Sequence, residues 1–253
     1  MNRTPPISGI ISTIFLFLCW HLCAVLIDAP FIVPYPATVL SDIYTLVGES
    51  GFTVMLRATV LRGLASFSIS IILSFLVGIP AGLSIRFESA IRPWMAVIRA
   101  TPVVSLILLA LFWFGSSFVP VFVSVLMTMP VMTESIQRGI RNTDPNLVVM
   151  SRVYRLTPLR RLVYIRIPSL LPYFFSGAGS SLGLTWKVVI AGEILAFPGF
   201  GIGTAMQTAK IHLETGRVFS LTIIAVILCL ITEKVFSILT NAMSVRITGG
   251  DLT

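Results

Sequence analysis

Long stretches without any charged residue dominate this sequence. Residues 8–27, 63–85 and 100–133 contain no Asp, Glu, Lys or Arg. A helix that crosses the hydrocarbon core of a bilayer, about 30 Å thick, needs about 20 apolar residues. Only 11% of the 253 residues are charged, whereas a soluble domain carries about 25%. Because this leaves too little polar surface for a water-soluble globule, the chain is predicted to be an integral membrane protein.

The charge-free stretches and the breaks between them indicate a polytopic all-α protein with about six transmembrane helices. In the longest stretch, residues 115–117 (Gly-Ser-Ser) and Pro120 predict a turn that divides it into two antiparallel spans. The predicted spans cover residues 8–27, 56–85, 94–114, 118–137, 169–195 and 218–245. We expect residues 1–253 to form a single transmembrane domain.

The arginines predict the orientation of these spans, because loops rich in Lys and Arg stay in the cytoplasm. Residues 28–50 contain three acids and no Lys or Arg, so this loop is expected outside. The segment 138–168 contains seven arginines and a single acid, so it is expected in the cytoplasm. The same alternation places both termini in the cytoplasm. Only the loop 196–217, with Lys210 and Arg217 on the outer side, departs from the rule.

The sequence lacks the motifs of an enzyme or an ATP-binding protein. A phosphate-binding loop needs Gly-Lys followed by Ser or Thr, but the three lysines follow Trp186, Ala209 and Glu233. There is no H-E-x-x-H motif, and the three cysteines lack metal-ligand spacing. The net charge of +8 comes mostly from loop arginines, so it does not indicate nucleic-acid binding. We expect no catalytic residue, metal or cofactor in this chain.

The basic segment 138–168 has the pattern of two short helices, over 145–155 and 158–167. Asp144-Pro145 and Thr157-Pro158 each suit a helix start, since Asp and Thr can cap and Pro fits the first helical position. On the first helix, one face is expected to carry Leu147, Met150, Ser151 and Tyr154, with Arg152 and Arg155 alongside. Such an apolar strip suits either a lipid surface or a groove on a partner protein. The residues alone leave both alternatives open.

The fifth predicted span contains further candidate residues. Lys187 and Glu193 are charged, and a charge within a span is costly unless it is paired or faces water. With Trp186 they are candidates for a translocation path or a subunit interface; the alternative is that both charges reach the outer surface. Gly179 and Gly183 have the spacing of small residues that let helices approach closely.

A family resemblance extends over most of the chain. It is carried by "PATVLSDIYTLV", "LRATVLRGLASF", "RATPVVSLILLALFWFG" and "TWKVVIAGEILA". These stretches resemble the transmembrane permeases of ABC importers of the nitrate, taurine and alkanesulfonate type. The cytoplasmic loop of such permeases has the pattern E-A-A, three residues, G, nine residues, I-x-L-P. The end of this pattern resembles residues 165–168 (Ile-Arg-Ile-Pro), which places Val149, Met150 and Ser151 at the E-A-A positions and Arg155 at the glycine.

The resemblance implies a passive subunit with a type I importer fold in the bacterial inner membrane. Two copies would pair, bind a cytoplasmic ATPase dimer that holds ATP and Mg, and accept solute from an external solute-binding protein. The solute would be small and polar or anionic, such as nitrate, taurine, a sulfonate or a thiamine precursor. The helix 145–155 would be the coupling helix, and its candidate ATPase contacts are Leu147, Val149, Met150, Ser151, Arg152, Tyr154 and Arg155.

Two other functions compete with this interpretation when the residues are considered without the resemblance. One is a secondary transporter driven by an ion gradient. Against it, the predicted spans show no inverted repeat and almost no acid in the first four. The other is a membrane scaffold that uses the basic segment to bind lipid.

Overall fold

In the computed structural model of this chain, residues 6–248 are described, together with the side chains of residue 9 and residues 11–242. The described residues form helices and no strand. The helices are α1 (Pro6–Ile27), α2 (Pro36–Gly48), α3 (Phe52–Leu83), α4 (Ile85–Ala100), α5 (Val103–Ala110), α6 (Val119–Arg141), α7 (Pro145–Val153), α8 (Pro158–Arg161), α9 (Ile167–Ala196), α10 (Ile202–Ile211) and α11 (Thr215–Thr248). The predicted all-α class is confirmed.

Helix α6 lies between α3 and α9 and forms the centre of the bundle. Glycines line both contacts: Gly78 faces Ile136 and Gly82 faces Ile140 on the α3 side, while Gly139 faces Leu170, Gly177 faces Ser135 and Gly192 faces Pro120 on the α9 side. A Cβ atom added to any of them would lie under 3.0 Å from an atom it faces. Small residues therefore set the close approach of these three helices.

The order of those contacts shows that α3 runs parallel to α6 and α9 antiparallel to both. The end of α3, the end of α6 and the start of α9 therefore meet at one end of the bundle, together with α7 and α8. We call this the basic end, because it carries the segment 138–168.

The opposite end of the bundle brings together the loops that were predicted to lie outside. Thr215 at the start of α11 donates a hydrogen bond to the Phe31 carbonyl at 2.6 Å. Arg217 pairs with Glu49 at 2.6 Å. Residues 28–50 and 196–217 thus share one end, away from the basic end, as the predicted alternation requires. Which end faces the cytoplasm remains a prediction.

By length and hydropathy, three of the described helices could each cross a membrane. They are α3, α6 and the Thr215–Ala242 part of α11. Helices α4 and α5 together make a fourth candidate, but they are bent by 96°. The span predicted over 94–114 is therefore replaced by two helices that break before Val103. Thr101 is extended, with ψ 128°, because a residue before proline is disfavoured in the helical conformation.

Helices α1 and α9 cover the predicted spans 8–27 and 169–195 without meeting the same test. The apolar part of α1 covers Ile11–Ile27 within the described side chains. Helix α9 is 30 residues long, but its serines and glycines lower its mean hydropathy. Six spans therefore remain a prediction.

The structure adds helices α2 and α10 within segments that were predicted only as external loops. Pro36 occupies the first turn of α2, and the helix buries Val39 and Leu46. Helix α10 buries Ile202 and Ala209. Leu46 and Ile202 belong to one apolar cluster with Leu221 of α11, which holds both short helices to the opposite end of the bundle.

The second short helix predicted in the basic segment, 158–167, is not a separate element. Helix α8 passes through a π-helical turn, Leu162–Arg166, directly into α9. Pro168 lies in the first turn of α9, where a regular helix would bring its ring against the carbonyl four residues earlier. The π-helical turn shifts the hydrogen-bond register there, so the helix continues through the proline.

Candidate functional site

Helix α7 is a short, firmly capped helix at the basic end. At its start the Asp144 side chain accepts a hydrogen bond from the Asn146 N–H at 2.8 Å. At its end the Leu156 N–H donates to the Ser151 carbonyl and the Arg155 N–H to the Arg152 carbonyl, both at 2.9 Å. This pair of bonds is the Schellman motif, which needs a left-handed residue. Arg155 supplies it, with φ 53°, at the position where the family pattern has glycine.

The surface of α7 is apolar and open to solvent. The exposed fractions are 39% for Leu147, 56% for Val149, 47% for Met150, 74% for Val153 and 73% for Tyr154. Of the predicted apolar strip, Leu147, Met150 and Tyr154 are indeed at the surface. A helix with this much exposed apolar surface outside the bundle is suited to contact with a partner protein or a lipid surface.

Ser151 does not belong to that surface, although it was predicted to lie on the strip. Its side chain is fully buried, and its hydroxyl donates to the Val148 carbonyl at 2.6 Å. The Leu156 N–H in the turn that ends α7 donates to the Ser151 carbonyl. Val153 also lies on this surface but was not predicted there, because it does not fall on the i, i+3, i+4 or i+7 positions counted from Leu147. Its β-branched apolar side chain was visible in the sequence.

The seven arginines of the basic segment divide into two groups. Arg138 pairs with Glu134, and Arg141 pairs with Glu88. Arg141–Glu88 and Arg99–Glu134, the latter at 2.7 Å, tie α4 to α6, whereas Arg138–Glu134 lies within α6. The other five have no acidic partner within 4.0 Å among the described residues: Arg152, Arg155, Arg160, Arg161 and Arg166. The part of the segment from α7 onward therefore presents unpaired positive charge.

Glu193 lies in a buried polar cluster near the opposite end of the bundle. Its side chain is fully buried and pairs with Arg62 of α3 at 2.6 Å. It also accepts hydrogen bonds from the Thr59 hydroxyl at 2.9 Å and the Gly203 N–H at 3.0 Å. Arg62 in turn donates to the Phe200 carbonyl at 2.7 Å. The cluster joins α3 and α9 to the turn before α10.

This cluster bears on one of the two interpretations of the charges in α9, and the role of Glu193 in a translocation path or a subunit interface stays a prediction. Glu193 does not reach the surface, so the alternative of an exposed charge is wrong for this residue. Lys187 is exposed on another face of the helix, as expected for residues that do not pair with each other. The partner Arg62 was missed, although its charge inside the predicted span 56–85, next to the charge-free stretch 63–85, was the available signal.

Trp186 and the two α9 glycines that were predicted to pack, Gly179 and Gly183, contact neighbouring helices. Trp186 is 1% exposed and lies in a core cluster with Phe67 and Met132. Its ring lies directly against Gly63, so Trp186 cannot line a pathway in this conformation. Gly183 lies beneath the Glu233 side chain of α11, while a Cβ atom at Gly179 would meet only Phe236, at a distance of 3.8 Å. The small residues of this stretch therefore bring α11 close to α9.

The part of the chain with described side chains has no metal centre. No three His, Cys, Asp or Glu side chains there are grouped so that they could hold an ion. Cys19, Cys23 and Cys229 are free thiols.

Sequence comparisons show relatives along most of the chain. A "Probable ABC transporter permease protein" of Haemophilus influenzae is 26% identical over 85% of this chain and 88% of its own length. The "Putative aliphatic sulfonates transport permease protein SsuC" of Escherichia coli is 29% identical over 80% of this chain and 76% of its own. The "Taurine transport system permease protein TauC" of the same organism is 26% identical, over 90% and 85%.

Solved structures share the fold. A bacterial alginate ABC transporter, in complex with alginate pentasaccharide-bound periplasmic protein, matches 96% of this chain and 94% of its own, with a TM-score of 0.63 and 15% identity. The MetNI methionine ABC transporter matches 72% and 93%, with a TM-score of 0.60 and 16% identity. Residues 70–245 match the family described as binding-protein-dependent transport system inner membrane component. Because that match covers more than half of the sequence, the chain belongs to this family of ABC transporter permease subunits, which are not themselves enzymes.

Proposed function

We propose that two copies of this permease form the transmembrane part of an ATP-driven importer for a small polar or anionic solute. A solute-binding protein delivers the solute at the opposite end of the bundle, and a separate ATPase dimer hydrolyses ATP at the basic end. The relatives named for aliphatic sulfonates and taurine support a small polar or anionic solute. The solved alginate transporter with its periplasmic protein and the MetNI transporter support the two kinds of partner.

The exposed apolar surface of α7 is the observation that supports ATPase coupling most directly. A capped helix holds its shape when a partner pushes on it, because its end groups are already satisfied. Leu147, Met150 and Tyr154 can fill a groove as anchors, in the manner of a helix docked by its apolar face. The unpaired Arg152 and Arg155 beside them can meet acidic groups at the rim of that groove.

The proposed orientation places the basic end in the cytoplasm of a bacterial cell, with the protein in the inner membrane. The loops at the opposite end carry Asp28, Asp42 and Glu49, whereas the basic end carries the arginines. This distribution is the one that membrane insertion favours. It puts α7 on the side where ATP is available and puts α10 on the side of the solute-binding protein.

A second copy of the chain explains the exposed charge in α9. Lys187 lies at the surface of the single chain within a predicted span. A lysine facing hydrocarbon there is costly, so it is expected to face a water-filled path or a partner helix. Ser176 and Ser180 are also exposed on α9. We therefore place α9 near the axis of a homodimer.

Truncation of the α7 anchors tests the coupling proposal. Leu147→Ala and Tyr154→Ala should each weaken ATPase binding by about 2 kcal/mol or more, which is about thirtyfold. Arg152→Ala is the matched control on the same helix and should cost about 0–1 kcal/mol, since an exposed ion pair contributes little. The measurement is retention of the ATPase on the purified permease in detergent, with the ratio of subunits determined by native mass spectrometry.

Two results would contradict the proposal. If the Leu147 and Tyr154 variants retain the ATPase as well as the unmodified protein does, α7 is not the docking helix. If the isolated complex contains one copy of this chain, or this chain with a different permease, the homodimer is wrong.

A further inference from the structure

A pocket at the basic end lies between the end of α3 and the chain that leads into α9. It has a volume of about 380 Å³ and is lined by Leu83, Pro158, Leu159, Arg161, Leu162 and Arg166. Four of these side chains are apolar and two are arginines. This size suits the headgroup of a small amphipathic ligand, and the mixed lining suits a ligand with a charged part and an apolar part.

The two arginines of this pocket lack partners for buried donor atoms. The Nε atoms of Arg161 and Arg166 are both buried and have no hydrogen-bond partner among the described residues. Burial lowers the pKa of Arg166, and the charges of Arg161 and Arg152 lower it further. Buried donors normally find acceptors, and no carboxylate of the described residues lies near enough to provide one. The site therefore carries positive charge that no carboxylate of the described residues neutralises, which suits an anion.

An apolar stripe on α3 leads directly to this pocket. Ile69, Ile72, Leu76 and Leu83 recur at helical spacing on one face and are all exposed. Leu83 is both the last residue of the stripe and part of the pocket wall. Hydrocarbon chains that pack along this stripe would place a headgroup at the two arginines.

We propose that the pocket binds the phosphodiester headgroup of an anionic phospholipid from the cytoplasmic leaflet, with the acyl chains packed along the α3 stripe. Arg161 and Arg166 hold the phosphate oxygens by charge-assisted hydrogen bonds. The chemistry that the arginines recognise is shared with inorganic phosphate, but only a lipid also uses the stripe. This site is separate from the α7 surface proposed for the ATPase, and it rests on the proposed orientation of the basic end.

The test compares two double variants that remove the same charge. Arg161→Gln with Arg166→Gln removes the arginine donors of the pocket. The control, Arg86→Gln at the start of α4 with Arg160→Gln, removes two arginines that neither line the pocket nor belong to the α7 surface. Each permease is purified with its ATPase in detergent, exchanged into nanodiscs that contain phosphatidylglycerol or only phosphatidylcholine, and analysed by native mass spectrometry for bound lipid. We expect the pocket variant to retain phosphatidylglycerol at least about tenfold less than the unmodified protein. The control should retain it as the unmodified protein does.

Further variants and ligands distinguish the lipid from inorganic phosphate and from a protein contact at this pocket. Leu83→Asn should also lower lipid retention, because it polarises the end of the stripe without removing an arginine. Displacement of the lipid by inorganic phosphate alone, with no effect of Leu83→Asn, would show a phosphate site and overturn the lipid proposal. Loss of the ATPase from the pocket variant while the lipid stays bound would show a protein contact instead. Arg161→Lys keeps the charge and should retain an intermediate amount of lipid, which provides a well-folded variant for the comparison.

Discussion

Arg155 adopts a left-handed backbone conformation at the end of α7, with φ 53°. For a residue with a Cβ atom this conformation costs about 1 kcal/mol relative to glycine. We therefore expect Arg155→Gly to stabilise the protein by about 1 kcal/mol, seen as a higher thermal unfolding midpoint in detergent. Arg155→Ala removes the same charge but keeps the strain, so it should show no gain. Equal midpoints for the glycine and alanine variants would contradict the assigned backbone conformation.

Glu193 and Arg62 form a buried ion pair that other hydrogen bonds complete. Removing one partner of such a pair leaves an uncompensated charge, at a cost of about 3–5 kcal/mol. Glu193→Gln should therefore lower the unfolding midpoint strongly, although Gln keeps the size of the side chain and an acceptor for the Gly203 N–H. Adding Arg62→Met should recover most of the loss, because the orphaned charge is then gone. If the double variant is as unstable as the sum of the two single variants, the two side chains are not coupled.

At the scale of one helix, α9 offers a matched pair of glycines. A Cβ atom at Gly192 would lie 2.8 Å from the Pro120 Cα atom of α6, whereas one at Gly179 meets only Phe236 at 3.8 Å. We expect Gly192→Ala to destabilise the protein by about 1–3 kcal/mol, because backbone must move. Gly179→Ala should be neutral or stabilising by up to about 1 kcal/mol, since alanine is the better helix former. Unfolding midpoints check both, and similar losses for both would contradict the assigned α6–α9 contact.

The helices were more predictable from the sequence than the contacts between them. The Pro145 and Pro158 starts of α7 and α8 follow from local chemistry, because capping depends on neighbouring residues only. The break at Thr101-Pro102 had a local signal too, but the 96° bend depends on how α4 and α5 pack. The π-helical turn before Pro168 has a local cause, the proline itself, but it also depends on α8 continuing directly into α9. No sequence period reveals such a shift of register.

At the scale of the whole molecule, the sequence predicted which segment contains the candidate site, but it did not predict which side chains of that segment lie at the surface. The basic segment and its apolar side chains were evident, yet Ser151 is buried next to the turn whose Leu156 N–H donates to the Ser151 carbonyl. The same limit applies to Glu193, whose partner Arg62 lies on α3, far away in the sequence. The division of the arginines into paired and unpaired groups likewise depends on acids in α4 and α6. Long-range contacts of this kind are properties of the folded bundle.

ATP-dependent uptake by the reconstituted complex tests the central claim most directly. The permease, its ATPase and its solute-binding protein are assembled in proteoliposomes, with the radiolabelled solute that the purified binding protein retains. The account predicts accumulation only when ATP is present on the side of the basic end and the binding protein on the other side. Abolishing the ion gradients should leave the rate of uptake unchanged. Accumulation that follows an imposed ion gradient and proceeds without ATP hydrolysis would contradict the account and would identify a secondary transporter.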